Sequence, residues 1–245
     1  MHGKAGALAF GLAVHAGRLL VIVATLAVAP MAGITGWYMG LAANIACVIY
    51  AAVLVTVRHQ WRSSGLFVAW RGPLPLLLLV PLVLEVTLWA VPGGLTNRPP
   101  GYGLWALTLL LVGINEELTS RVVVLGRMRL SFGALPAVSI TAALFGLQHL
   151  SAFLTGDRGT EDILLNVVVS ACYGFSLAAF QYRYAWVLPL IILHAAADFT
   201  TILSRQPLSD PMIGVTLIGF LLLGLVILRL PETRRNSHDT RPRRN

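Results

Sequence analysis

Charge is scarce in this chain. Only 11% of its 245 residues are Asp, Glu, Lys or Arg, and 57% are hydrophobic. A soluble domain carries about 25% charged residues, so the composition excludes an ordinary soluble fold and predicts an all-α, polytopic membrane protein of one domain. Lysine is almost missing, since Lys4 alone among 18 basic residues is a lysine, a bias that hints at a GC-rich bacterial source. Cysteine is scarce too. Cys47 and Cys172 both lie in apolar runs, which excludes a disulfide framework or a cysteine-held metal cluster. No convincing signal-peptide cleavage site accompanies the first apolar run, which therefore reads as a retained helix. The net charge of +8 taken alone points to nucleic acid. The arginines, however, fall between apolar runs and in the tail, as the positive-inside bias requires, so no nucleic-acid partner is expected.

A membrane helix needs about 20 mostly apolar residues. By that measure the chain has about eight transmembrane helices in one bundle. They are predicted near Leu19–Ile34 (after an interfacial segment Ala5–Gly17), Trp37–Val57, Pro73–Val91, Gly103–Leu125, Phe132–Phe153, Ile163–Gln181, Tyr184–Leu203 and Met212–Leu230. The loop after the second helix is basic, and its Gly65–Trp70 portion is expected to lie along the interface. A polar loop with Asp157, Arg158, Glu161 and Asp162 follows the fifth helix. The whole transmembrane domain is 1–230, with its chemistry in 103–203; the basic tail 231–245 is expected to be disordered and cytoplasmic. Gly36-Trp37-Tyr38-Met39-Gly40 is a small-xxx-small pattern and reads as ordinary helix packing.

With both termini in the cytoplasm, Lys4, Arg18, Arg58, Arg62, Arg71, Arg127, Arg129, Arg183, Arg229 and the tail arginines all fall inside, and Arg98, Arg158 and Arg205 fall outside. That bias predicts a multi-pass protein of the inner (plasma) membrane with both ends cytoplasmic.

The ionisable residues left within the apolar runs are Glu85, Glu116, Glu117, Arg121, His149, His194 and Asp198. Each charge costs at least ~2.5–3.5 kcal/mol at the bilayer centre, so such residues face a bundle interior and work there. Glu117 and Arg121 are four apart and can pair on one face. Glu116 is rotated from Glu117 by about 100° and has no cation of its own in that helix, which leaves it available as a general base. Phe145 and His149 share a face, as do His194 and Asp198. One carboxylate, two imidazoles and an orienting carboxyl can activate water and stabilise an oxyanion. Glu116, His149 and His194 are equally a plausible zinc ligand set, although no HExxH helix motif is present. At about 1.5 Å per residue, Glu116 and His194 sit at matching depths and His149 sits higher. Glu85 reads as a polar residue facing the bundle.

Three motifs, Glu116-Glu117-x-x-x-Arg121, Phe145-x-x-x-His149 and His194-x-x-x-Asp198, occur in order on successive polar-bearing helices. In this the chain resembles the CPBP family, the type II CAAX-prenyl-protease and bacteriocin-processing membrane proteins also called Abi, whose motifs are EExxxR, FxxxH and HxxxN/D. The resemblance implies an intramembrane endopeptidase acting on a membrane-associated peptide or protein, CAAX-like or leader-bearing. It implies Glu116 as the base that activates water, His149 as its partner, and His194 with Asp198 at the oxyanion. Glu117, Arg121 and Phe145 would support them. It favours a mechanism without a metal cofactor, despite the family's earlier description as metalloproteases. Asp198 stands where the motif most often has Asn, and an ionised carboxylate cannot donate to an oxyanion, so its implied role becomes orienting His194 or donating from a protonated carboxyl. A rival reading is a non-catalytic immunity or scaffold protein of the same fold; another is a proton-coupled transporter.

Overall fold

The first helix is longer than the sequence predicts, and this changes the centre of the molecule. In the computed structural model, which describes residues 3–155, 158–206 and 208–230, helix α1 runs Lys4–Val28 without a break and tightens into a 3-10 turn over Ala29–Ala32. The stretch Ala5–Gly17 is therefore the first half of the crossing and no interfacial segment. Arg18, assigned from sequence to the cytoplasmic side, lies about 21 Å along the helix from Lys4 at about 1.5 Å per residue and is buried. An arginine interrupts a hydropathy run whether it faces water or a partner in the bundle, which is why the sequence placed it at a border.

The remaining elements follow in chain order. They are α2 (Trp37–Val57), the single turn α3 (Trp61–Ser64), α4 (Pro73–Ala90), α5 (Tyr102–Glu117), a π-helical stretch over Leu118–Val124, and α6 (Leu125–Met128). Then come α7 (Ala134–Leu147), a 3-10 turn Gln148–Ser151, α8 (Ala152–Thr155), α9 (Thr160–Tyr184), α10 (Val187–Leu203) and α11 (Asp210–Arg229). Six helices are long and apolar enough to cross a membrane. Among the described residues the continuous Tyr102–Met128 rod and the shorter apolar α10 stand where the sequence predicts two further crossings. The chain is all-α among the described residues; an isolated antiparallel bridge between Leu95 and Ser204 joins two loops. The tail from Pro231, and with it the expectation of disorder, lies outside the described residues, as does Asp157. Helix α9 begins at Thr160 rather than Ile163, so Glu161 and Asp162 form its first turn, where carboxylates are favoured by the helix dipole.

The rod Tyr102–Met128 is the central stave. Its residues 115–125 are all buried, and the π stretch touches α1, α2, α7, α9 and α10. Helix α9 packs between α7 and α11, and α5 packs between α2 and α10. The approach of α5 to α10 is backbone-close: a Cβ added at Gly113 would fall 2.7 Å from the Ile191 carbonyl oxygen. One turn further on, this closeness sets the second motif carboxylate, Glu117, against α10. Aliphatic side chains such as Leu20, Ile49, Leu77 and Leu222 face outward, as lipid-facing side chains do. Trp37, Tyr38 and Trp105 cluster edge to face at one end of the bundle, and Trp61 with Phe67 lies at the other, like the aromatic belts of membrane proteins.

The loop after α2 does not simply lie on the interface. It folds back onto the α9–α10 turn. The Gln181 side-chain N–H donates to Ser64 O at 3.0 Å, Trp186 Nε1–H donates to Val68 O at 2.6 Å, and Arg71 donates to Ala185 O at 3.1 Å. These buried backbone acceptors, which water would otherwise satisfy, fix the loop as a plug. Gly65 has φ 74°, and an added Cβ would land on the Ala185 carbonyl oxygen. Gly65→Ala is expected to lower stability by at least about 1–2 kcal/mol from backbone handedness alone, read as an earlier thermal transition in detergent.

Candidate active site

The first motif is held by three helices. Glu117 Oε2 lies 3.3 Å from Arg121 Nε, both side chains fully buried, as their four-residue spacing predicts. The Arg121 guanidinium lies 4.1 Å over the Phe145 ring, so the Phe of the second motif carries the cation of the first through a desolvated cation–π contact. Glu116 points elsewhere, and its cation comes from another helix. Arg18 donates from Nη2 to Glu116 Oε1 at 2.7 Å and from Nε to Asn115 Oδ1 at 2.8 Å. Asn115 in turn donates to Asn44 Oδ1 of α2 at 3.2 Å. This network was missed in the sequence. Its signal was the uninterrupted apolar run on both sides of Arg18, which reads equally as one long helix.

His194 sits between the two carboxylates. Its Nδ1 lies 2.9 Å from Glu117 Oε1. A carboxylate paired with Arg121 only accepts, so Nδ1 carries a proton. Its Nε2 lies 3.8 Å from Glu116 Oε2 and 3.6 Å from Asp198 Oδ2. The rings of Phe145 and Tyr173 stand edge-on to it, with centroids 5.8 and 5.6 Å away. Glu116 Oε2 is buried and makes no hydrogen bond.

His149 reaches the site by a different route from the one its spacing implied. Its helix ends at Leu147, and the tighter turn Gln148–Ser151 carries the ring. There Nδ1 lies 3.1 Å from the Phe145 carbonyl oxygen and Nε2 lies 3.4 Å from Ser170 Oγ. No hydrogen bond joins His149 to Glu116, yet both line the same two cavities.

The first cavity, about 430 Å³, is walled by Glu116, His149, His194 and Asp198 together with apolar side chains of α5, α9 and α11. The second, about 770 Å³, lies on the α1–α2 side and includes Arg18, Asn44 and Gln148. Gly36 and Gly40 line it as well, and nothing lies within 4 Å of a Cβ added at either. The small-xxx-small pattern thus leaves space for a cavity and does not pack two helices. Among the described residues no group of three or more His, Cys, Asp or Glu side chains is arranged to hold a metal ion. One oxygen of Glu116 is taken by Arg18, and one nitrogen of His194 by Glu117.

Arg18→Gln is expected to destabilise the protein by about 1.5–3 kcal/mol, the worth of a hydrogen bond to a charged group. Thermal unfolding in detergent checks it, with Arg18→Lys falling in between because it keeps the charge and loses the Asn115 bond.

These features define a polytopic membrane protein whose central helix sets two buried carboxylates and an arginine beside a histidine, with Glu116 and His194 on the wall of a mainly apolar cavity. The family model described as "Type II CAAX prenyl endopeptidase Rce1-like" matches residues 99–200, the stretch that holds all three motifs. Over this stretch, which is less than half of its length, the chain is similar to that protease family. No curated protein and no solved structure matches the chain.

Proposed function

We propose that the protein is an intramembrane endopeptidase that hydrolyses a peptide bond of a membrane-associated substrate with a water activated by Glu116. The observation that carries this is the free Glu116 Oε2 on the cavity wall, 3.8 Å from His194 Nε2. Arg18 fixes the other oxygen, which leaves Oε2 as the oxygen without a hydrogen bond.

The substrate carbonyl and the attacking water approach these two groups from the cavity side. Glu116 Oε2 takes a proton from water, whose oxygen bonds to the carbonyl carbon. The resulting oxyanion accepts a hydrogen bond from Nε2–H of the His194 imidazolium, whose ring Glu117 holds through Nδ1–H. As the C–N bond breaks, the proton passes to the leaving amine, with His149 on the same wall to relay it. Asp198 faces Nε2 at 3.6 Å and acts by orienting His194; it is not a donor to the oxyanion. The aliphatic and aromatic side chains that make up most of the first cavity's wall interrupt any polar path across the bundle, which favours a protease over a transporter. The crowding of arginines at one end of the bundle supports an inner-membrane placement with both termini cytoplasmic.

The test is cleavage of a broad library of membrane-associated peptides in liposomes, with and without a strong chelator. Cleavage that persists with chelator supports the glutamate-and-water mechanism. Cleavage lost with chelator points to a metal. A folded wild type that cuts nothing moves the immunity or scaffold reading ahead.

A further inference from the structure

Glu85 belongs to none of the motifs, yet its side chain is placed as a binding group. It is buried on α4, where Trp89, one turn on, donates its indole N–H to Glu85 Oε1 at 2.9 Å. The other oxygen, Oε2, is buried and has no hydrogen-bond partner among the described residues. The hydroxyl of buried Tyr173 on α9 is unpartnered as well. Glu85, Trp89 and Tyr173 all line the first cavity.

The charges around that cavity decide what fits. Its carboxylates are Glu85, Glu116, Asp162 and Asp198, and its single arginine is Arg158. Glu116 is matched by Arg18, and Asp198 faces His194. Arg158 lies beside Asp162 and bonds to its backbone oxygen at 3.4 Å. Among the described residues no cation lies within ion-pair distance of Glu85. An anionic side chain would be repelled here, and an apolar one would leave the buried oxygen unpaired, which is costly. An amide would satisfy one bond and leave the charge uncompensated. A cation supplies both the charge and the donor, and the aliphatic walls from Leu109, Val112 and Leu217 suit the methylene stem of a long basic side chain.

We infer that the first cavity is a subsite for a Lys or Arg side chain of the substrate peptide, with Glu85 as its counter-ion and the Tyr173 hydroxyl as a second acceptor. This rests on the protease reading, because the same cavity holds Glu116, His149 and His194 on its wall. The basic residue would therefore flank the cut bond.

Binding is measured in detergent micelles with the Glu116→Gln protein, so that peptides are not consumed. One apolar peptide is scanned position by position with Lys, Arg, norleucine, Gln or Glu. At one position Lys and Arg are expected to bind at least about tenfold tighter than norleucine, a difference of ~1.4 kcal/mol. Adding Glu85→Gln is expected to erase that ratio, and Glu85→Asp to keep part of it. The Asp variant separates loss of charge from loss of fold. Equal binding of Lys and norleucine at every position, a preference for Gln, a preference that survives Glu85→Gln, or no binding of any peptide would overturn the inference. Cleavage by wild type is scored separately. Selective binding without cleavage sinks the protease reading and leaves the subsite; cleavage without selectivity sinks the subsite alone.

Discussion

Glu116→Gln is expected to slow peptide cleavage by about a hundred- to ten-thousandfold, the range that a positioned general base contributes. The substitution keeps the shape of the side chain and can still accept a hydrogen bond from Arg18, now 2.7 Å from Oε1. It removes the ability of Oε2 to take a proton from water. The protein is therefore expected to stay folded, with a thermal transition close to that of wild type and substrate affinity within a few-fold. Single-turnover cleavage beside a melting curve checks both halves. A Glu116→Gln protein with wild-type turnover would remove Glu116 from the chemistry and pass the role of base to another group on the cavity wall.

Arg121→Leu is expected to be the most destabilising single change in the motifs, by about 3–5 kcal/mol, the cost of breaking a buried pair from one side. Arg121 and Glu117 are both fully buried, so a leucine would leave the Glu117 charge with His194 as its remaining partner. The cation over Phe145 is lost as well. The double variant Glu117→Gln/Arg121→Leu is expected to be more stable than Arg121→Leu alone, since it no longer strands a charge. The four-corner comparison gives the coupling, expected at about 0.5–3 kcal/mol. A double variant as unstable as the sum of its parts would show that the two groups do not act as a pair. Activity should fall in both variants, because Glu117 holds Nδ1 of His194 at 2.9 Å.

Much of this was legible because membrane physics writes in large letters. Long apolar runs give the crossings, and the expense of a buried charge singles out Glu116, Glu117, Arg121, His194 and Asp198. The four-residue spacings of Glu117 with Arg121 and of His194 with Asp198 translate directly into side chains facing one another. What stayed hidden needed information from a second helix. Arg18 looks like a border residue until Asn115 and Glu116 arrive beside it. The depth of His149 cannot be counted along a regular helix, because its ring hangs from a 3-10 turn. The loop that plugs the α9–α10 turn has no periodic pattern at all. Its fold is dictated by backbone oxygens looking for Gln181, Trp186 and Arg71. Gly36 and Gly40 show the limit most plainly, because the same small residues that let helices touch also let a cavity open.

The Arg18–Glu116 pair also sets a problem for biogenesis. The two residues are 98 positions apart in the chain, and at about 5–20 residues per second of synthesis the arginine emerges about 5–20 s before its carboxylate. Helix α1 must be inserted while its charge has no counterpart, a penalty of ~2.5–3.5 kcal/mol on insertion scales, offset by the strongly apolar residues around it. Until the fourth crossing docks, the nascent chain holds an unpaired guanidinium in the membrane. Ribosome-bound intermediates that stop short of Glu116 should therefore keep α1 near the insertion machinery or at the lipid surface, and completion of the rod should draw it into the bundle.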